Sequence, residues 1–173
     1  MDYDGDGKTD ICHISSGGLS IYMLEDSKEG TLTLKHIRTN SEINLATLKN
    51  RIFFPVEMNG DGCMDLLVSP MRGQNTKAWT VYNSRGDGTF EKSTFSCVSY
   101  SDDNETGFIV QDINGDGLTD LIKYDANKFE TYLAKRNKLE YAATTSFPAK
   151  NSALASTDIN SRNTFSQLVS LDK

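Results

Sequence analysis

Proline is scarce in this chain, at three residues in 173, and so is cysteine, at three. Cys12, Cys63 and Cys97 can make at most one intramolecular disulfide, and none sits in a C-x-x-C pair of the kind that serves zinc or redox chemistry. They read as unpaired thiols that pack like small apolar residues. No apolar run is long enough to span a bilayer, so membrane insertion is excluded as an expectation. Positive charge is short too: 18 Lys and Arg face 24 Asp and Glu, for a net charge of −6. A general nucleic-acid binder needs the opposite balance to meet phosphates. Two histidines, and the lack of any G-x-S-x-G elbow, P-loop or H-E-x-x-H motif, leave catalysis without visible equipment, and no enzyme is expected. The start, Met1-Asp2-Tyr3-Asp4, carries neither the basic patch nor the apolar stretch of a secretory signal.

What the chain does contain is a repeat. The run Asp2-Tyr3-Asp4-Gly5-Asp6-Gly7-Lys8-Thr9-Asp10 returns 55 residues later as Glu57-Met58-Asn59-Gly60-Asp61-Gly62-Cys63-Met64-Asp65. After the same interval it returns as Asp112-Ile113-Asn114-Gly115-Asp116-Gly117-Leu118-Thr119-Asp120. A worn fourth copy begins at Asp158-Ile159-Asn160. Short apolar stretches precede and follow each loop, and a third element sets a bulky apolar residue three places before a tyrosine: Leu19 and Tyr22, Trp79 and Tyr82, Phe129 and Tyr132. A whole structural unit is therefore repeated. Runs of four to eight residues rich in Ile, Val, Phe, Tyr and Thr, bounded by Gly, Asn, Asp and Ser, predict strands and tight turns. Residues 41–50 are expected to be a loop or a single turn. About four strands per unit, including a last one such as 31–37, 89–98 or 139–145, match the size of a propeller blade.

In D-x-[DN]-G-D-G-x-x-D, side-chain oxygens fall at positions 1, 3, 5 and 9, and a main-chain carbonyl is available at position 7. Such a set suits a hard cation, and calcium takes about 6 to 8 oxygens. The candidate ligands are Asp2, Asp4, Asp6, Lys8 and Asp10; Glu57, Asn59, Asp61, Cys63 and Asp65; and Asp112, Asn114, Asp116, Leu118 and Asp120, with Lys8, Cys63 and Leu118 acting through their carbonyls. The glycines between them permit the positive φ angles that fold the carboxylates inward. An EF-hand would need a glutamate at position 12 and flanking helices. Position 12 is His13, Val68 or Lys123, and strands are expected on both sides, so neither an EF-hand nor a dockerin-type module fits. The simpler alternative is a set of Asn/Gly/Asp turns; three copies with the full ligand pattern favour calcium, up to three structural ions. The first loop is the most acidic but has no strand before it, and Glu57 moves the second site outward. The fourth, with Arg162 at position 5 and Ser166 at position 9, is expected to hold no metal, its guanidinium pairing with Asp158 instead.

On these loops the chain resembles the FG-GAP/VCBS repeats, the calcium-loop β-propeller blades of integrin α-subunit heads and of many bacterial surface and secreted proteins. Asn83, followed by Gly86-Asp87-Gly88-Thr89-Phe90, is similar to the N-x-x-G-D-G-x-F hairpin of bacterial members, which accompany Rhs-repeat proteins and the B component of Tc-type toxins. The resemblance implies an all-β ring of six to eight blades. This chain holds about three and a half: blade 1 over 1–50 without its first strand, blade 2 over 51–105, blade 3 over 106–150, and the start of blade 4 over 151–173. A partial propeller exposes sheet edges. The expected partners are therefore the remaining blades or a second copy, with an unknown protein or glycan ligand.

The implied role is a calcium-stabilised binding or shell-forming module at the cell surface or outside the cell. A lectin-like propeller, with Trp79 and the tyrosines lining a sugar site, and accessory blades attached to a secreted enzyme remain as alternatives. Arg85-Gly86-Asp87 spells an integrin-binding tripeptide, but its place between two strands reads as a hairpin turn. Asn104-Glu105-Thr106 fits a glycosylation acceptor. Eleven of the 24 acidic residues fall in the four loops, so three calcium ions would cancel the net charge of −6.

Overall fold

Alternation of apolar and polar residues, interrupted by glycine-rich turns, produces strands throughout. The computed structural model describes residues 1–26, 30–103 and 105–146, so the worn fourth copy and its expected blade lie outside the described residues. Eleven strands make three antiparallel sheets, and no helix occurs among the described residues. The first sheet has the order β1 (Ile11–Ser15), β2 (Gly18–Asp26), β3 (Leu32–Asn40). The second runs β4 (Phe53–Val56), β5 (Asp65–Val68), β6 (Ala78–Ser84), β7 (Phe90–Ser96). The third runs β8 (Gly107–Gln111), β9 (Asp120–Tyr124), β10 (Lys128–Ala134), β11 (Leu139–Ser146). Each is a meander of neighbours in sequence, which short hairpin links require. Residues 41–50 form turns, as expected, and Ile43 within them is buried.

The first sheet has three strands where the others have four, and β1 takes the place that β5 and β9 hold in theirs. Met1 pairs with Asp10 as the last residues of β4 and β8 pair with the first of β5 and β9. Its carbonyl accepts from Asp10 N–H at 2.7 Å and its ammonium donates to the Asp10 carbonyl at 3.0 Å. The corresponding pairs in the other sheets are Val56 with Asp65 and Gln111 with Asp120.

Two cores lie between successive sheets, and β5 serves both. Leu66 and Val68 join Leu19 and Ile43 in the core shared with the first sheet, whereas Leu67 joins Leu121 and Tyr132 in the core shared with the third. All four residues of β5 are buried, the pattern of a strand covered on both faces. Trp79 fills the second core at 0% exposure. Its indole donates to the Val98 carbonyl at 2.7 Å, and its ring meets Phe108 edge-on at 5.2 Å. Phe108 also takes edge contacts from Phe54 and Tyr100. Trp79 is therefore packing and not a sugar platform. Bulges at Ile21/Tyr22 and Thr131/Tyr132 occur at the same repeat position, just before the recurring tyrosine, and sharpen the local twist. All three cysteines are free, and burial pushes the Cys97 thiol up to about 12, leaving it unreactive.

Candidate metal centres

Each acidic loop lies at one end of its sheet, joining β4 to β5 and β8 to β9 and leading into β1. The three loops share one set of internal hydrogen bonds. The position-1 carboxylate grips the amides of both glycines: Asp2 accepts from Gly5 N at 2.8 Å and Gly7 N at 2.9 Å, Glu57 from Gly60 N at 2.7 Å and Gly62 N at 2.9 Å. Asp112 does the same with Gly115 N at 2.8 Å and Gly117 N at 2.9 Å. Position 3 accepts from the amide of position 5, as in Asp4 with Asp6 N, Asn59 with Asp61 N and Asn114 with Asp116 N. Position 5 accepts from position 7, as in Asp6 with Lys8 N, Asp61 with Cys63 N and Asp116 with Leu118 N. The six glycines have φ between 75° and 85°, which side-chain-bearing residues rarely adopt. The glutamate at position 1 of the second loop reaches the same two amides as the aspartates, so its extra methylene is absorbed within the loop.

The position-9 aspartates do something different. Asp65 is fully buried, and its two oxygens accept from Met58 N at 3.0 Å and from Ser84 N, at the end of β6, at 2.8 Å. Asp120 repeats this with Ile113 N at 2.9 Å and Ala134 N, at the end of β10, at 2.7 Å. Each thus pins the loop's second residue to the third strand of its own sheet. Among the described residues Asp10 makes only the first of these bonds, to Tyr3 N at 3.1 Å. Burial pushes Asp65 up to about 7 against the pull of its amide partners, and raises Asp10 as well. A nearby cation would offset that cost.

Asp2, Asp4 and Asp10 each place an oxygen within 4.8 Å of the others, a spacing one cation can bridge. The all-oxygen donor set fits a hard ion. In the other loops an amide occupies position 3, and its nitrogen donates to position 5: Asn59 Nδ2 to Asp61 at 2.8 Å and Asn114 Nδ2 to Asp116 at 3.0 Å. In the first loop the Lys8 ammonium stands 3.4 Å from Asp6. Every position-5 carboxylate therefore has a side-chain donor within its loop, a cation in the first and a neutral amide in the others. The amide of position 7, joined by Lys8 Nζ in the first loop and by Asn114 in the third, holds Asp6 and Asp116 below the usual carboxylate range. Cys63 and Leu118, at position 7, turn their amides onto the position-5 carboxylates. The Cys63 thiol lies toward the first loop, 3.5 Å from where a side chain on Gly5 would begin.

Neighbouring loops are joined through the main chain. Met64 N, at position 8, donates to the Asp2 carbonyl at 2.7 Å, and Thr119 N donates to the Glu57 carbonyl at 2.7 Å. The Thr119 hydroxyl also accepts Glu57 N–H at 2.9 Å. The position-2 carbonyls reach the next sheet as well, Tyr3 accepting from the Ser84 hydroxyl and Met58 from Asn137 N at 2.9 Å. Ser84, Ala134 and Asn137 were not singled out by the sequence pattern, because they act here through amides or a hydroxyl at ordinary strand and turn positions. Their only signal is a repeat offset: Ser84 and Ala134 each follow the recurring tyrosine by two. Arg85-Gly86-Asp87 opens the β6–β7 turn, as expected. Arg85 N donates to the Thr89 carbonyl at 3.0 Å, and its guanidinium pairs with Glu91 at 3.0 Å.

Residues 57–123, which include the second and third loops, match the family described as FG-GAP-like repeat. No curated protein matches the chain. Among solved structures, the chain is similar to an Agrocybe aegerita lectin described for specific recognition of non-reducing terminal N-acetylglucosamine, with 15% identity and a TM-score of 0.43. The match covers 84% of this chain and 50% of the lectin, so the chain spans about half of that protein's length.

Proposed function

We propose that the protein is a calcium-stabilised β-propeller segment, its three sheets being successive blades, that serves as a binding or scaffold module of a secreted or surface bacterial protein. The observation that carries this is the repetition of one oxygen-rich loop, with the same main-chain bonds to positions 1, 3 and 5, at the same end of three sheets, two of them within the stretch that matches FG-GAP-like repeats. Calcium would be held by the side chains at positions 1, 3, 5 and 9 and the carbonyl at position 7, with the position-9 aspartate also fixing the loop to its sheet. The bound ion would supply charge neutralisation and rigidity, and no chemical step is assigned to it. Millimolar calcium outside cells suits such exposed loops, and the Asn83 to Phe90 hairpin supports a bacterial setting of the Rhs or Tc-toxin shell kind.

Calcium titrated into chelated protein is expected to raise the melting temperature progressively. One site at tenfold excess over its Kd adds about 1.4 kcal/mol. Calorimetric titration is expected to find up to three ions per chain. An unchanged melting temperature at millimolar calcium would remove the metal from this reading.

The partner surface follows from the bonds between loops. The first and second loops use the carbonyls of positions 1 and 2 to hold the next sheet, and their position-2 residues, Tyr3 and Met58, are buried. In the third loop Ile113 is 47% exposed. A further unit of the same repeat, from the rest of a longer polypeptide or from a second copy, fits that end. Light scattering is expected to show association that Ile113→Asp suppresses. A monomer at every concentration would eliminate the second copy as the partner.

A further inference from the structure

Two arginines, Arg51 and Arg72, lie at the end of the second sheet opposite its acidic loop. β4 runs from this end at Phe53 to the loop at Glu57, and β5 returns to it at Val68. A cleft of about 450 Å³ opens here, lined by Asn50, Arg51, Ile52, Arg72, Tyr100 and Asp102. Its walls are fixed by the main chain: Arg72 N donates to the Asn50 carbonyl at 2.9 Å and Gly73 N to the Tyr100 carbonyl at 3.0 Å. Asn50 holds a left-handed φ of 58°, a conformation that costs energy and tends to persist where the surroundings require it.

Arg51 and Arg72 both line this cleft, in a chain whose net charge is −6. Arg51 spends one terminal nitrogen on the Ser69 carbonyl at 2.7 Å, while its Nε is buried and has no hydrogen-bond partner among the described residues. A buried cationic N–H without an acceptor calls for an ion or other acceptor to complete it. Arg72 lies over the Tyr100 ring at 5.7 Å, donates to the Asp103 carbonyl at 3.0 Å, and stands 3.2 Å from the Asp102 carboxylate. The Asp102 side chain is 77% exposed. An exposed carboxylate on a surface arginine is weakly held and easily exchanged.

We infer that the cleft between Arg51 and Arg72 is a binding site for the carboxylate of a small acidic ligand, which takes the place Asp102 fills on Arg72 and extends toward Arg51. The planar fork of each guanidinium matches carboxylate geometry. The lining residues set two arginines against one aspartate, Asp102, which pairs with Arg72, and that balance favours anions over neutral molecules. The site lies at the opposite end of the sheet from the acidic loops and does not depend on their metal.

The test uses the full chain labelled with nitrogen-15, in chloride buffer with calcium. Arginine Nε–H resonances are followed while glucuronate, N-acetylglutamate, methyl glucoside or inorganic phosphate is added. Saturable shifts of the Arg51 and Arg72 signals with either carboxylate, and none with methyl glucoside, are expected. A sugar acid acting alone assigns the site to acidic glycans, and N-acetylglutamate acting alone assigns it to peptide carboxylates. Arg51→Gln is expected to weaken binding about tenfold, as loss of a charged hydrogen bond does. Asp102→Asn, which removes the internal competitor and leaves the fold's buried parts untouched, is expected to tighten binding roughly two- to fivefold. Should Arg51→Gln not fold, the opposite response of Asp102→Asn still decides. No saturable shift, equal response to methyl glucoside, stronger binding of phosphate than of either carboxylate, or an Asp102→Asn affinity that is unchanged or lower would overturn the assignment.

Discussion

Asp65→Ala is expected to cost about 2 to 5 kcal/mol of folding stability, the range for stranding two buried amide donors less the relief of a buried carboxylate. The substitution strands the amides of Met58 and Ser84, each of which loses its acceptor inside the protein. An unsatisfied buried donor costs about 1 to 3 kcal/mol, and there are two. Removal of a costly buried carboxylate offsets part of this, because burial already raises Asp65 to about 7. The stranded amides win, since nothing replaces their partner. Asp65→Asn keeps one acceptor but turns a donor toward the other amide, so it is expected to fall between wild type and alanine. Urea unfolding in excess chelator checks the point: a loss below 1 kcal/mol for Asp65→Ala there would show that the residue acts through the metal alone. The equivalent change at Asp10 removes one amide bond instead of two and is expected to cost less.

Trp79→Ala is expected to be as damaging, at about 3 to 5 kcal/mol, by emptying the core between the second and third sheets. Trp79 is fully buried and contacts elements from both sheets, so its loss removes apolar surface from each. The Val98 carbonyl also loses the indole donor. Trp79→Phe keeps an aromatic edge for Phe108 but restores neither the volume nor the donor, and about half the alanine cost is expected. Circular dichroism during urea unfolding measures both variants, because Trp79 is the chain's one tryptophan and its fluorescence disappears with it. Near wild-type stability for Trp79→Ala would mean that the two sheets are not held together by this core.

The architecture was legible to the extent that it repeats. A 55-residue interval locates the acidic loops, and alternation around them locates most strands to within a few residues, as with 31–37 against the observed Leu32–Asn40. Side-chain periodicity carries that information, because each strand must bury one face. Bonds made by amides and carbonyls leave no such trace. Nothing in the letters of Met64 or Ser84 announces that their main chains close onto Asp2 and Asp65. Spacing singles out the position-9 aspartates as candidate ligands, but their burial and their grip on β6 and β10 depend on where a strand ends two residues beyond a tyrosine. The arginine cleft was hidden for another reason. Arg51 and Arg72 are brought together by the β4–β5 hairpin and the turn after it, and neither belongs to a repeated pattern.

The amide links between loops also decide how the molecule yields. Three independent rivets would each fail alone, whereas these loops are stitches in a seam. Among the described residues the middle loop is sewn on both sides, through Met64 to Asp2 and through Glu57 to Thr119, while each outer loop is sewn on one. Tension or local opening therefore enters from the outer stitches and travels inward one peptide at a time, with the middle loop the last to part.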